Sequence, residues 1–304
     1  MTKATLPLFC MLIILTNHLV SQSSADFSGL PVNGSARTAA LAAASVGEAY
    51  DVTSMYWNPA ALSFLRQSSV TGSSILDRRS QSFENSLSLP PLYKDTYQVI
   101  AAGIACSFYG EKWSQPYFAY NGIDLGYSIK VHRSFSIGIL MNVRYGNTSR
   151  SGLWALSGII GGFYSPSSGS SYGIVVDGLG DNILYTNDGN EAIIKYQRNA
   201  GQSIRIGSSF RFPSIYRMPY ITITLESQKL LANSRIIYRG GFEIYPFHNV
   251  SMRFGILSKS LATVGTFGVG INLNQFHIDY AFSPDPDVHR FHLISISYLL
   301  EFNV

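Results

Sequence analysis

The chain has 304 residues, of which 13% are charged and 46% hydrophobic, with 27 glycines, 19 tyrosines, 18 phenylalanines and a formal net charge of +4. It is too apolar for a disordered chain and too sparsely charged for an ordinary soluble surface. The positive balance is mild and no basic run forms, so no nucleic-acid footprint is present, and the length suits one large β domain or two ordinary ones.

The N-terminus reads as an export signal. Lys3 supplies the positive end, Leu6–Leu15 a short apolar core and Ser23-Ser24-Ala25 a small-residue cleavage site. Cleavage is expected after Ala25, with Ser21 as the alternative, so residues 1–25 form the signal. The competing reading, a membrane anchor, is disfavoured because the apolar core is half the length of a spanning helix, which needs about 20 residues. Cys10 leaves with the signal and does not sit at a lipoprotein-type cleavage site. Cys106 alone can make no internal disulfide, and no Cys/His spacing suits zinc.

Ser35–Leu65 differs from everything after it. Ala39–Ala44 is small and helix-favouring, Gly47 breaks it and Asp51 gives a turn. Asn58-Pro59 carries a mechanism: Asn58 is an N-cap and Pro59, with no N–H to lose, suits the first position of a helix through Leu65. The restriction on residues before proline predicts a short extended lead over Tyr56-Trp57-Asn58.

From there the period is two. Ile123, Leu125, Tyr127, Ile129 and Val131 share one face, opposite Asp124, Gly126, Ser128 and Lys130. The same split recurs in Phe135–Tyr145, in Phe267–Asn274 and in Gln275–Phe282. Weaker patterns cover Tyr97–Phe108, Ser203–Phe212, Tyr220–Gln228, Arg235–Tyr245, Val250–Ser258 and Arg290–Leu300. Further strands are expected near Val70–Leu76, Ser82–Leu89, Leu153–Tyr164 and Tyr172–Asp177. The tally is about fourteen, an even number that suits a closed antiparallel barrel.

Tight turns are expected at His132–Ser134, Pro246–Asn249 and Asn274-Gln275, alternating with longer loops such as Gly146–Gly152, Gly178–Gln202 and Ser283–His289. That alternation belongs to outer-membrane barrels. Pro213–Met218 and Ser165–Ser171 look too long for the tight side, and Asp188-Gly189 suggests a hairpin within the long loop. Aromatic residues at strand ends, such as Phe135 and Tyr145 or Phe276 and Phe282, suit interfacial girdles. A soluble β-sandwich alternates in the same way, but it would carry more charge on the polar face than the Gly, Ser and Asn found here.

The polar face carries Asp124, Lys130, Arg144, Arg205, Arg211, Arg235, Arg239, Arg253, Glu226, Glu243 and Asp279. If the apolar face meets lipid, these point into a lumen. A network of ion pairs bracing the barrel is favoured over a basic channel, because lumenal charges must pair to offset desolvation. The histidines, including His277, His289 and His292, lack metal-ligand spacing, and no nucleophile motif supports a lipase, so neither enzyme, metal nor cofactor is expected. Glycines on the polar face, such as Gly268 and Gly270, are expected to let an inner segment or a neighbouring side chain approach the wall.

Taken together, Ser35-Ala36-Arg37, Gly47, Asp51, Tyr56-Trp57-Asn58-Pro59-Ala60 and the closing Ile278–Pro284 with His292–Tyr298 resemble the FadL-like outer-membrane barrels, most nearly their PorV/PorQ family. The resemblance implies an all-β transmembrane barrel of about 14 strands over residues 67–304, with residues 26–66 as a small, partly helical plug in the lumen. Arg37, Asp51, Trp57, Asn58 and Pro59 form the plug motif. The PorV-like members it implies assist type IX-like protein secretion or surface assembly, with exported proteins or secretion components as partners. FadL-like members instead pass long-chain fatty acids and other hydrophobic small molecules. Either role places the chain among outer-membrane lipids. The chain is short for the family and ends Leu300-Glu301-Phe302-Asn303-Val304, without a terminal aromatic residue.

Overall fold

The computed structural model describes residues 34–65, 67–76, 80–88, 93–94, 99–111, 118–148, 152–167, 169–179, 202–212, 220–231, 236–259, 262–284 and 291–300. The expected signal, Arg235, His289, Pro213–Met218 and the Asp188-Gly189 hairpin lie outside the described residues.

The strands are β1 (Ser68–Leu76), β2 (Ser80–Ser88), β3 (Tyr93–Lys94), β4 (Val99–Glu111), β5 (Phe118–His132), β6 (Phe135–Thr148), β7 (Gly152–Ser167) and β8 (Ser170–Leu179). They continue as β9 (Ser203–Phe212), β10 (Tyr220–Leu230), β11 (Ile236–Phe247), β12 (Val250–Lys259), β13 (Ala262–Leu273), β14 (Phe276–Ser283) and β15 (Phe291–Leu300). Each pairs antiparallel with its neighbour in sequence, except that β2 pairs with β4, and β1 pairs with β15 from Ser68↔Leu300 to Leu76↔His292. The short β3 only adds to the start of β4, so fourteen strands close the ring.

Closure satisfies every strand edge within the wall, which is what a sheet crossing lipid requires. Alternation then sorts the side chains. On β5 and β6, Ile123, Leu125, Tyr127, Ile137, Ile139 and Met141 lie exposed on the outer surface, while Asp124, Ser128, Ser136 and Asn142 are buried inside. On β12, Met252, Phe254 and Ile256 face out, and Ser251 and Arg253 face in. The outer surface is therefore an apolar band and the inner one mostly polar, the reverse of a soluble protein.

The three tight turns expected from sequence fall at one end, and a further short connection, from Lys259 to Ala262, joins β12 to β13 at the other. β5 turns into β6 between His132 and Phe135, β11 into β12 between Phe247 and Val250, and β13 into β14 between Leu273 and Phe276. Asn274 takes the positive φ of 53° that the last of these needs. Ser165–Ser171, read from sequence as too long for this side, is also tight: both strands extend until Ser167 pairs with Ser170. The serines there are polar without being turn-forming, so composition alone understated the strands.

Residues 34–65 lie inside the ring. Their helices are short: Ala36–Ala40, Ser54–Trp57 and the 3-10 helix Pro59–Phe64. Two expectations change. The first helix stops at Ala40 and does not run on to Ala44, because Ala42 and Ala43 adopt φ of 54° and 61° and turn the chain back. The lead to Asn58 is a helical turn, closed by the Asn58 N–H donating to the Ser54 carbonyl at 2.8 Å. The proline rule constrains only Asn58, which is extended at φ −154° and ψ 102°.

Candidate functional site

The inner segment is seated on three parts of the wall. The helix Ala36–Ala40 begins at an N-cap, Ser35, and packs on β13 to β15, where the Ala36 N–H donates to Ser295 Oγ at 3.0 Å and Thr266 Oγ1 donates to the Ala40 carbonyl at 2.8 Å. Further on, the Ser45 and Val46 N–H groups both donate to Glu226 Oε2 at 3.1 Å, and Ser171 Oγ donates to the Gly47 carbonyl at 2.7 Å. Pro59–Phe64 lies against β4 to β7, with Ser128 and Ser136 both donating to the Ala60 carbonyl at 3.0 and 2.7 Å.

Glycine makes this proximity possible. A Cβ on Gly138 would strike the backbone of Pro59 and Ala60, one on Gly173 the Val46 carbonyl, one on Gly255 the backbone of Ala42 and one on Gly268 the Ala40 side chain. At Gly270 the space is filled instead by the side chains of Asp279, Ser251 and Arg253. Backbone thus lies directly on backbone, and hydroxyls of the wall satisfy the carbonyls that a side-chain interface would leave stranded.

Asn58 completes the seat. Its Oδ1 accepts the Ala60 N–H at 3.1 Å, and its Nδ2 donates to the carbonyls of Val46 and Gly162, both at 3.0 Å. Pro59 occupies the first position of the 3-10 helix, as its sequence predicts. Asp51 Oδ1 accepts from the Thr53 N–H at 2.9 Å and its hydroxyl at 2.5 Å. Burial raises the Asp51 pKa, against the pull of the Thr53 bonds and of Arg37. Trp57 is half-buried, with the Arg205 guanidinium 5.7 Å from its ring centroid.

Among the described residues, Asp124, Arg205, Glu226, Glu243, Arg253 and Asp279 are buried on the inner side of their strands, and most of the charges there are paired. Arg37 holds Glu48 through two bonds of 2.9 and 2.8 Å, and Glu243 through two more of 3.0 and 2.6 Å. Glu243 also accepts from Arg253 at 2.6 Å, and Arg253 reaches Asp279 at 2.6 Å. Burial opposes the charge on Arg37, but Glu243 and Glu48 outweigh it and hold its pKa above the ordinary value. Asp124 meets Arg144 at 2.5 Å, Arg239 meets Glu226 at 3.0 Å and Arg205 meets Asp177 at 3.1 Å. Arg211 donates to the Ala49 carbonyl at 3.1 Å, and Lys130 sits 3.7 Å above the Phe64 ring. Sequence reasoning missed Glu48 and Tyr50 as partners of Arg37, since neither lies on a strand with a readable period; the Tyr50 ring is 3.7 Å from its guanidinium.

The opposite side of the interface is apolar. Val46, Val52, Met55 and Leu62 of the inner segment pack with Leu140, Ile159 and Val175 of the wall. Toward the short-turn end the lumen widens into a cavity of about 570 Å³, bounded by Tyr50, Phe64, Phe163, Tyr220, Tyr245 and Arg211 among others. His277 also lines it, with its ring centroid 6.3 Å from that of Tyr50. Among the described residues, no cluster of His, Cys, Asp and Glu could hold a metal.

No family model and no curated protein sequence matches the chain. Solved structures do. The toluene transporter TbuX of Ralstonia pickettii superposes with a TM-score of 0.58 at 14% identity, covering 90% of this chain and 100% of that one. The toluene transporter TodX of Pseudomonas putida gives 0.57 at 12% identity, over 90% and 97%. A FadL homologue of Pseudomonas aeruginosa gives 0.51 at 12% identity, over 89% and 98%. At such identities the likeness is one of fold. With its closed ring and apolar outer band, the chain is an outer-membrane β-barrel sharing the architecture of the FadL-type transporters.

Proposed function

We propose that the protein is a non-enzymatic pathway for small hydrophobic molecules across the outer membrane, with residues 26–66 as its plug and 67–304 as its wall. The observation that carries this reading is the apolar seam between Val52, Met55 and Leu62 on one side and Leu140, Ile159 and Val175 on the other. That strip helps to seat the segment by apolar burial, and it is also the surface along which an apolar solute would pass. The proteins that share the fold include toluene transporters and a monoaromatic hydrocarbon channel, which agrees with that chemistry. The secretion or surface-assembly role of PorV/PorQ relatives rests on the sequence resemblance alone, and an internal apolar strip offers an exported protein nothing to hold.

The test is uptake. Cells with the gene deleted and restored are compared for entry of labelled toluene and of a labelled long-chain fatty acid, and for surface delivery of exported proteins. Loss of either uptake with normal delivery is expected. Normal uptake with failed delivery would overturn the proposal in favour of the secretion role.

A further inference from the structure

The cavity at the short-turn end shares no residue with the apolar seam, and the inner segment and the wall both build it. The segment supplies Tyr50 and Phe64; the wall supplies Phe163 on β7, Arg211 on β9, Tyr220 on β10 and Tyr245 on β11. Four of the rings meet in pairs, Phe64 and Phe163 with centroids 5.1 Å apart and Tyr220 and Tyr245 with centroids 5.5 Å apart. A space of about 570 Å³ with this much aromatic surface has the size and lining of a site for a small organic molecule.

The charges that line it are not equally engaged. Each carboxylate is committed: Glu48 gives both oxygens to Arg37, Glu243 is shared by Arg37 and Arg253, and Asp51 Oδ1 accepts twice from Thr53. Arg37 is buried among those partners. Arg211 differs. Its Nη2 donates to the Ala49 carbonyl at 3.1 Å, and Glu48 Oε1, already bonded to Arg37, stands 3.8 Å from the same nitrogen. Among the described residues its Nε and Nη1 have no acceptor, and 24% of the side chain is exposed. Thr222 is its cross-strand partner, so Tyr220, two positions along, shares the inward face and lies diagonally within reach of the guanidinium.

We infer that this cavity binds an aromatic carboxylate, with the anionic group on Arg211 and the ring among the aromatic side chains. A guanidinium with donors to spare at an open rim is matched by a carboxylate, through charge-assisted hydrogen bonds that a neutral ring cannot accept as strongly. The surrounding rings favour a flat aromatic body over an alkyl chain, since stacked and edge-on contacts add to simple burial. The occupant touches the segment through Tyr50 and Phe64 and the wall through Arg211 and Tyr220, so its binding favours the seated segment. The site goes beyond the transport reading, which rests on the seam.

The test titrates the full chain in detergent with benzoate by calorimetry, against protein-free micelles. Benzyl alcohol supplies the ring without the charge, and hexanoate the charge without the ring. Benzoate is expected to bind about ten-fold more tightly than either, the worth of one charge-assisted hydrogen bond. Arg211→Gln should weaken benzoate by about the same factor and leave benzyl alcohol unchanged. Tyr220→Leu should weaken benzoate several-fold and leave hexanoate unchanged. Saturating benzoate should also slow protease cleavage within 34–65 in wild type and not in Arg211→Gln. Folding is checked by heat-dependent gel mobility, and if Arg211→Gln releases the segment without ligand, Tyr220→Leu carries the comparison. Benzoate binding no tighter than hexanoate or benzyl alcohol, or a folded Arg211→Gln or Tyr220→Leu that binds benzoate as wild type does, would overturn the inference. Nothing crosses a membrane in this measurement, so its failure and that of the transport proposal are told apart.

Discussion

Asn58 donates to the carbonyl of Gly162 at 3.0 Å, joining the inner segment to the wall across 104 residues of sequence. The same side chain caps the 3-10 helix and holds Val46. Asn58→Ala removes all three bonds at a fully buried position, at an expected cost of about 2–4 kcal/mol to the seating of the segment. Protease cleavage within 34–65 should accelerate while the heat-resistant mobility of the barrel is kept.

Gly173 offers a test of the backbone-on-backbone fit. Gly173→Ala places a methyl on the Val46 carbonyl and should loosen the segment by about 1–3 kcal/mol. Gly240→Ala is the control, since its nearest neighbours stand 3.7 Å away or more and its effect should stay within about 0.5 kcal/mol. Comparing cleavage rates of the two variants reads the difference directly.

Glu243 neutralises two arginines at once, Arg37 from the segment and Arg253 from the wall. Glu243→Gln leaves both guanidiniums buried and short of negative charge, an expected loss of about 3–5 kcal/mol in urea-induced release of the segment. The ring should stay closed, because no strand pairing depends on that carboxylate.

Asp51 gives the seat a pH dependence of known sign. Its carboxyl is raised by burial in the folded state, so folding takes up a proton more readily than the free chain does. Its favourable contribution is full below the unfolded value and is lost as pH rises through the raised folded value. Asp51→Asn can still accept both bonds from Thr53, so segment release should become flat across that window, where in wild type it grows easier with rising pH.

On the outer surface, Phe254 lies mid-strand on β12 and Phe247 at the turn end of β11. In a membrane the two positions differ in depth. Phe254→Arg should cost about 2–4 kcal/mol of barrel stability and Phe247→Arg about 0–1 kcal/mol, measured by unfolding from lipid vesicles.

Much of the wall is legible in the sequence because alternation is a local signal. Ile123–Val131 displays its two faces without reference to any partner, and Asn274-Gln275 marks its own turn. Asn58-Pro59 likewise announces a cap. The partners of the inner segment are not local. Arg37 meets Glu243 across 206 positions, and nothing near Glu48 or Tyr50 signals that they share its charge. The left-handed turn at Ala42 and Ala43 is hidden for the opposite reason: the residues favour helix, and only docking against the wall reverses them.

The glycine seats tie the inner segment to closure of the ring. Gly138, Gly173, Gly255 and Gly268 belong to β6, β8, β12 and β13, and become one concave surface only once those strands stand around a common axis. That arrangement is completed when β1 joins β15. Residues 34–65 precede every described strand in the chain, yet their binding surface is drawn from strands on several sides of the ring. The full seat therefore exists only in the closed ring, and the segment that precedes every strand gains its complete set of contacts only there.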